Sequence, residues 1–156
     1  MAGKKMAIIA TKGALDMAYP PLILGSTAAA LGWEVQVFFT FYGLQLLRKD
    51  LSGIAISPLA NPAMPMPVPM PVIVSVLPGM QAMATSMMKA KMKKKGVASL
   101  EELRSLCLEA DVKFIACQMT VDLFEFSKSD FIDGIEYGGA ATFLKFAGET
   151  DVCLFI

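Results

Sequence analysis

The chain has 156 residues, a length that suits a single domain able to bury roughly two-thirds of the surface its unfolded form exposes. It is 55% hydrophobic and 18% charged, with a mean hydropathy of +0.56, which excludes disorder and points to apolar surface shared with another subunit. The formal charge is zero but divided: residues 1–96 hold 10 Lys/Arg against 3 Asp/Glu and residues 97–156 hold 4 against 11, a balance of +7 and −7 that favours self-association or charged partners over nucleic acid.

Met6–Ala10 is a short continuous apolar run closed by Thr11-Lys12-Gly13, as expected for a strand buried on both faces of a parallel sheet. The run is too short for a signal-peptide core and meets Lys12 almost at once, so nothing in it directs export. Leu22–Leu31 reads as the first crossover helix, with Pro20 and Pro21 in its first turn and Gly32 at its stop. Val35–Phe41 is β-branched and aromatic and predicts the second strand, followed by Tyr42-Gly43 and a short helix over Leu44–Lys49. Ile54–Ser57 is read as a third strand.

Asn61–Pro71 carries proline at nearly alternate positions, which removes backbone donors and sets an extended, polyproline-like loop. No charge occurs from Leu51 to Met88, yet seven prolines forbid a membrane span there. A helix is expected from near Pro78 to Lys95. Met80, Met83, Met87 and Met88 mark one side of it, with Lys89, Lys91, Lys93, Lys94 and Lys95 at its end and Gly96 as its stop. Residues 58–96 thus form a Met/Pro-rich loop and basic helix inserted in one domain, 1–156. Such a helix suits packing on its own domain or on a sister subunit, and also suits docking on an anionic membrane surface.

Ser99-Leu-Glu-Glu102 is a capping box for a helix over Leu100–Ala110, and Val112–Cys117 is the next buried strand. Thr120–Phe126 reads as helical. Gly138-Gly139 opens a last helix through Phe146, Gly148 ends it, and Val152–Ile156 is the final strand. The order βαβαβαβαβ predicts an α/β fold: a single-domain, mainly parallel five-stranded sheet with helices on both faces, in a flavodoxin-like arrangement.

The three cysteines are odd in number and form no CxxC pair, which excludes a disulfide framework and fits a reducing cytoplasm. Cys117 falls where strand gives way to helix, at the carboxyl edge of the sheet where reactive groups collect, and helical amides there would stabilise a thiolate. A free cysteine at a strand end is also an ordinary small hydrophobe. Cys107, on an apolar helix stripe, and Cys153, inside an apolar strand, read as structural. The chain has no histidine, so a Cys-His couple is excluded and Lys12 is the one candidate base or cation in the neighbouring loops. Thr11-Lys12-Gly13 could also bind a small anion or nucleotide, although the GxGxxG and GxxxxGK[ST] patterns are absent.

Across nearly its whole length the chain resembles the DsrE/DsrF/DsrH-like sulfur-trafficking proteins, in the stand-alone cytoplasmic branch often labelled a peroxiredoxin-family protein. The resemblance rests on Ala10–Gly13, Asp16–Pro21, Phe39–Gly43, Lys113–Thr120 with Asp122–Phe124, and Phe131–Ala141. It implies a sulfur relay in which Cys117, taken as following the fourth strand, carries a persulfide exchanged with rhodanese-like and TusA-like carriers, without cofactor or metal. It implies that Gln118, Met119 and Thr120 start the adjoining helix, that Thr11, Lys12, Gly13 and Tyr42 approach from neighbouring strand ends, and that the protein is a homo-oligomer, a trimer or hexamer. The peroxiredoxin label is not supported, because the thioredoxin-fold peroxidatic Thr/Cys motif is missing. A non-catalytic adaptor using the Met/Pro-rich segment is the alternative.

Overall fold

The computed structural model describes residues 3–58, 60, 63, 65 and 67–156. Five parallel strands, β1 (Lys5–Ala10), β2 (Glu34–Phe39), β3 (Lys113–Cys117), β4 (Glu136–Gly138) and β5 (Val152–Phe155), lie in the order β4-β3-β2-β1-β5. Helices cover both faces, as expected of an α/β domain. Alternation sorts the side chains. Met6, Ile8, Val37, Phe39, Phe114 and Ala116 face the helices α1 (Leu15–Ala30) and α4 (Leu100–Glu109) in the larger core. Ala7, Phe38, Ile115 and Cys117 form a smaller core with Phe143 and Phe146 of α6 (Ala140–Ala147), where the Phe38 and Phe143 rings stack at 5.1 Å.

Several expectations from the sequence are corrected. Ile54–Ser57 is not a strand. Ile54 and Ile56 are buried and alternate with Ala55 and Ser57, which imitates a strand period, but the backbone groups are spent elsewhere. The Leu15 amide donates to the Ala55 carbonyl at 2.8 Å, the Ile56 amide donates to Thr85 Oγ1 at 3.1 Å, and the Gln81 amide group donates to the Ile56 carbonyl. Tied off in this way, the segment becomes a strap between α1 and the basic helix, here α3 (Met80–Lys94), which follows a single turn, α2 (Val72–Ser75). The same strap starts α1 seven residues earlier than the prolines suggested, since Asp16 accepts from the Ser57 amide and hydroxyl, both at 2.8 Å. Pro20 and Pro21 therefore lie inside α1 rather than in its first turn, and two helical hydrogen bonds are absent there. Gly32 does close the helix, in the left-handed conformation at φ +80°.

The fifth strand is instead β4, just ahead of the last helix, and α6 then opens on Gly139 and closes at Gly148 as expected. Cys117 consequently ends the third strand, not the fourth. Beyond β2, which stops at Phe39, the chain turns as a 3-10 segment over Phe41–Leu47 in place of the helix over Leu44–Lys49. The capping box of α4 is formed, with Glu102 accepting from the Ser99 amide at 2.7 Å and Ser99 Oγ accepting from the Glu102 amide at 3.2 Å. The expected polyproline path over Asn61–Pro71 falls partly outside the described residues, and those described within it belong to no helix or strand. No helix among the described residues is long and apolar enough to cross a membrane.

Candidate functional site

Cys117 is the last residue of β3 and caps α5 (Gln118–Leu123), which starts two residues before the expected Thr120. Its side chain points to the α6 face and is 5% exposed. Burial pushes its thiol toward the neutral form, but the Thr120 hydroxyl and amide, the Thr40 hydroxyl and the Met119 amide outweigh it and bring the pKa below the ordinary thiol value. No charged side chain takes part, so the thiolate is favoured by neutral donors alone.

These donors are held by a turn with unusual backbone. The hydroxyls of Thr40 and the fully buried Thr120 lie 3.2 Å apart, and the Phe41 amide donates to Thr120 Oγ1 at 3.3 Å. Phe41 sits at φ +47°, a left-handed conformation that a bulky aromatic residue adopts only when its surroundings impose it. Two contacts do so here. Phe124, just past α5, meets the Phe41 ring edge-on at 6.3 Å and stacks on Tyr42 at 6.0 Å. Gly43 lets the turn lie on β1, for any Cβ there would come within 2.1 Å of the Ala10 carbonyl oxygen.

On the other side of the sulfur, Cys117 pairs with Gly138 of β4, and Gly139 beyond it faces open space. Around this end of the sheet Phe41, Tyr42, Met119 and Leu123 are exposed at 44, 65, 61 and 59%. A nearly covered sulfur beneath an apolar rim, flanked by glycines, suits a thiol that reacts when a partner surface closes over it.

The structure divides the expected site residues into two groups. Met119 and Thr120 stand with Cys117, while Gln118 is turned aside to donate to Asp122 at 2.8 Å. Lys12, Gly13 and Tyr42 instead line a separate cavity of about 430 Å3 with Met17, Gln45 and Ser57, and Cys117 is not in its wall. Thr11 serves the fold, its amide and hydroxyl donating to the Ile156 carbonyl at 2.9 and 3.0 Å. Thr40 is the residue that the sequence reading passed over. Its signal lay in the pairing of Phe39 with Ala116, which, carried one residue on, sets Thr40 abreast of Cys117.

The other two thiols differ. Cys107 is fully buried and donates to the Leu22 carbonyl at 3.3 Å, and burial pushes its pKa up to about 11 against the Ser26 hydroxyl and amide. Cys153 is exposed on β5, where a buried structural role was expected. Among the described residues no group of three or more His, Cys, Asp or Glu could hold a metal ion.

Comparison with known proteins agrees with this architecture. The sulfur carrier protein DsrE2 of Allochromatium vinosum is 68% identical over a 160-position alignment spanning the whole of both chains. An uncharacterized protein of Bacillus subtilis, YrkE, is 32% identical over 157 positions, covering 98% of this chain and 97% of its own. The ychN protein of E. coli superposes with a TM-score of 0.54 at 13% identity, covering 98% of this chain and 99% of its own. The protein of unknown function MTH1491 from Methanobacterium thermoautotrophicum does so at 0.50 and 12%, covering 97 and 98%, and at such identities both speak for the fold alone. A model of the DsrE/DsrF/DrsH-like family matches residues 2–155, and with a curated relative sharing two-thirds of its residues the chain belongs to that family.

Proposed function

We propose that the protein is a cytoplasmic sulfur carrier that holds sulfane sulfur as a persulfide on Cys117, acts as a homotrimer or hexamer, and exchanges sulfur with rhodanese-like and TusA-like carriers. The observation that carries this reading is the place of Cys117, last residue of β3 and cap of α5 at the carboxyl end of the sheet beside the paired hydroxyls of Thr40 and Thr120, and neutral donors there favour its ionised form. The function named for the Allochromatium vinosum relative agrees with it.

The transfer balances without an oxidant. The Cys117 thiolate attacks the terminal sulfur of a donor persulfide, a new S–S bond forms, the donor's S–S bond breaks, and the donor leaves as a thiolate while the moving sulfur keeps its proton. Reversal on an acceptor thiolate empties Cys117. A thiolate is the nucleophile in each direction, so the lowered pKa raises the reactive fraction at neutral pH.

Incubation with a persulfidated rhodanese-like donor followed by peptide mass spectrometry tests the reading. One sulfur atom should appear on the peptide containing Cys117 and be absent in Cys117→Ser. An unmodified Cys117, or undiminished loading of the variant, would end it.

A second reading, an adaptor that docks on an anionic membrane surface, is favoured by exposed Val68, Val72, Ile73, Val76 and Leu77 ahead of the lysine-rich end of α3. On that reading, flotation with anionic vesicles persists in Cys117→Ser and is lost in Ile73→Ser/Val76→Ser.

A further inference from the structure

We propose that Thr40 is a positioning residue for Cys117: its hydroxyl and that of Thr120 form a clasp that gives one proton to a neutral sulfur and both to a thiolate. The inference rests on Cys117 being the working thiol and concerns how the sulfur is held in its reactive state.

Three observations place the clasp. Thr40 has extended backbone, φ −133° and ψ 159°, so it prolongs β2 by one residue and its side chain takes the α6 face, the face of Phe38 and Cys117. The pairing of Phe39 with Ala116 then brings Thr40 beside Cys117. Thr120, three residues after the cysteine, turns its hydroxyl to within 3.2 Å of the Thr40 hydroxyl from the neighbouring element.

The behaviour follows from counting protons. Two hydroxyls carry two protons and each oxygen has two lone pairs. The Phe41 amide occupies one lone pair of Thr120 Oγ1. While the hydroxyls bond to each other, one proton is used between them and one remains for the sulfur. A thiolate accepts more strongly than a hydroxyl oxygen, so on ionisation the second proton swings onto sulfur by rotation about a C–O bond, with no heavy atom moving. The ionisable groups on the adjoining elements, Asp122 of α5, Glu136 and Tyr137 of β4 and Lys145 of α6, exert no force on this equilibrium comparable with the donors.

Thr40 is the place to test this, because Thr120 is fully buried and also satisfies the amide of the left-handed Phe41, so its loss would disturb the turn itself. Thr40 is only half-buried, and valine keeps its shape. The ultraviolet absorbance of the thiolate, taken as the difference between each protein and its Cys117→Ser counterpart, gives the Cys117 titration directly. The pH profile of alkylation gives its reactivity.

Thr40→Val should shift the titration to higher pH and slow alkylation at neutral pH about tenfold, the scale expected for one lost hydrogen bond to a charged group. Thr40→Ser, which restores the hydroxyl, should return both to the wild-type values. An unchanged titration in Thr40→Val, or a serine variant displaced as far as valine, overturns the clasp. Neither measurement uses a sulfur donor. A normal clasp in a protein that never accepts sulfur would sink the carrier reading alone, and normal loading with an unmoved Thr40→Val titration would sink the clasp alone.

Discussion

Two buried thiols in this chain respond to their surroundings in opposite directions, and each makes stability depend on pH with its own sign. Cys117 has a lowered pKa, so its contribution is fully present above the ordinary thiol value and is lost as pH falls through the folded-state pKa. Cys107 has a pKa pushed up to about 11, so the folded chain keeps a proton that the unfolded chain releases from near pH 8.5. Stability must then decline as pH rises from that value toward 11. Urea unfolding of Cys107→Ala at pH 9 and pH 10 should show a smaller difference in midpoint than the wild type, even though the variant is less stable at both because of the cavity it creates. An equal difference would mean that Cys107 has no part in the alkaline decline.

At the scale of elements, the strap over residues 54–57 shows how side chains replace a ladder. Thr85 is buried on α3, accepts from the Ile56 amide and donates to the Gln81 carbonyl at 2.8 Å. Thr85→Val conserves shape but orphans that amide, at a cost of about 1–3 kcal/mol. Chemical denaturation should register the loss, with the Ile56 amide losing protection from hydrogen exchange. This same strap explains an error of sequence reading, since alternation at Ile54 and Ile56 reports burial and says nothing of where N–H and C=O groups go. The strands at Met6, Val35, Val112 and Val152 were legible because continuous β-branched and apolar runs fit a sheet covered on both faces. Glu136-Tyr-Gly138 was not, being three residues long, charged at one end and glycine at the other, and paired on one side only. Cys117 was legible as a strand-end thiol. Thr40 depends on the register between β2 and β3, which no local pattern encodes.

For the whole molecule, the two faces of the sheet are unequally covered. On the larger-core side α1 and α4 pack together, whereas the smaller core is closed by the eight residues of α6. On this face Leu144 of α6 and Phe155 of β5 are exposed at 62 and 74%, which matches the apolar excess of the composition. If this face builds the proposed homo-oligomer, Leu144→Glu and Phe155→Glu should lower the mass measured by light scattering while circular dichroism stays unchanged. A mass equal to that of the wild type would place the subunit contact elsewhere.

If Cys117 carries sulfur as proposed, the position of Cys153 bears on where that sulfur goes next. Cys117 lies on β3 and Cys153 on β5, with β2 and β1 between, and Cys153 is level with Lys113, so three strand spacings of about 4.8 Å and four residues of about 3.3 Å rise put them roughly 19 Å apart. That is well beyond the reach of a disulfide, and Cys107 sits across the sheet in the other core. No thiol of the same chain could resolve a persulfide held on Cys117. On the proposed function each cargo atom would therefore depart to a different polypeptide or to a small thiol, and the chain would be a courier with one hand and no means of discharging itself.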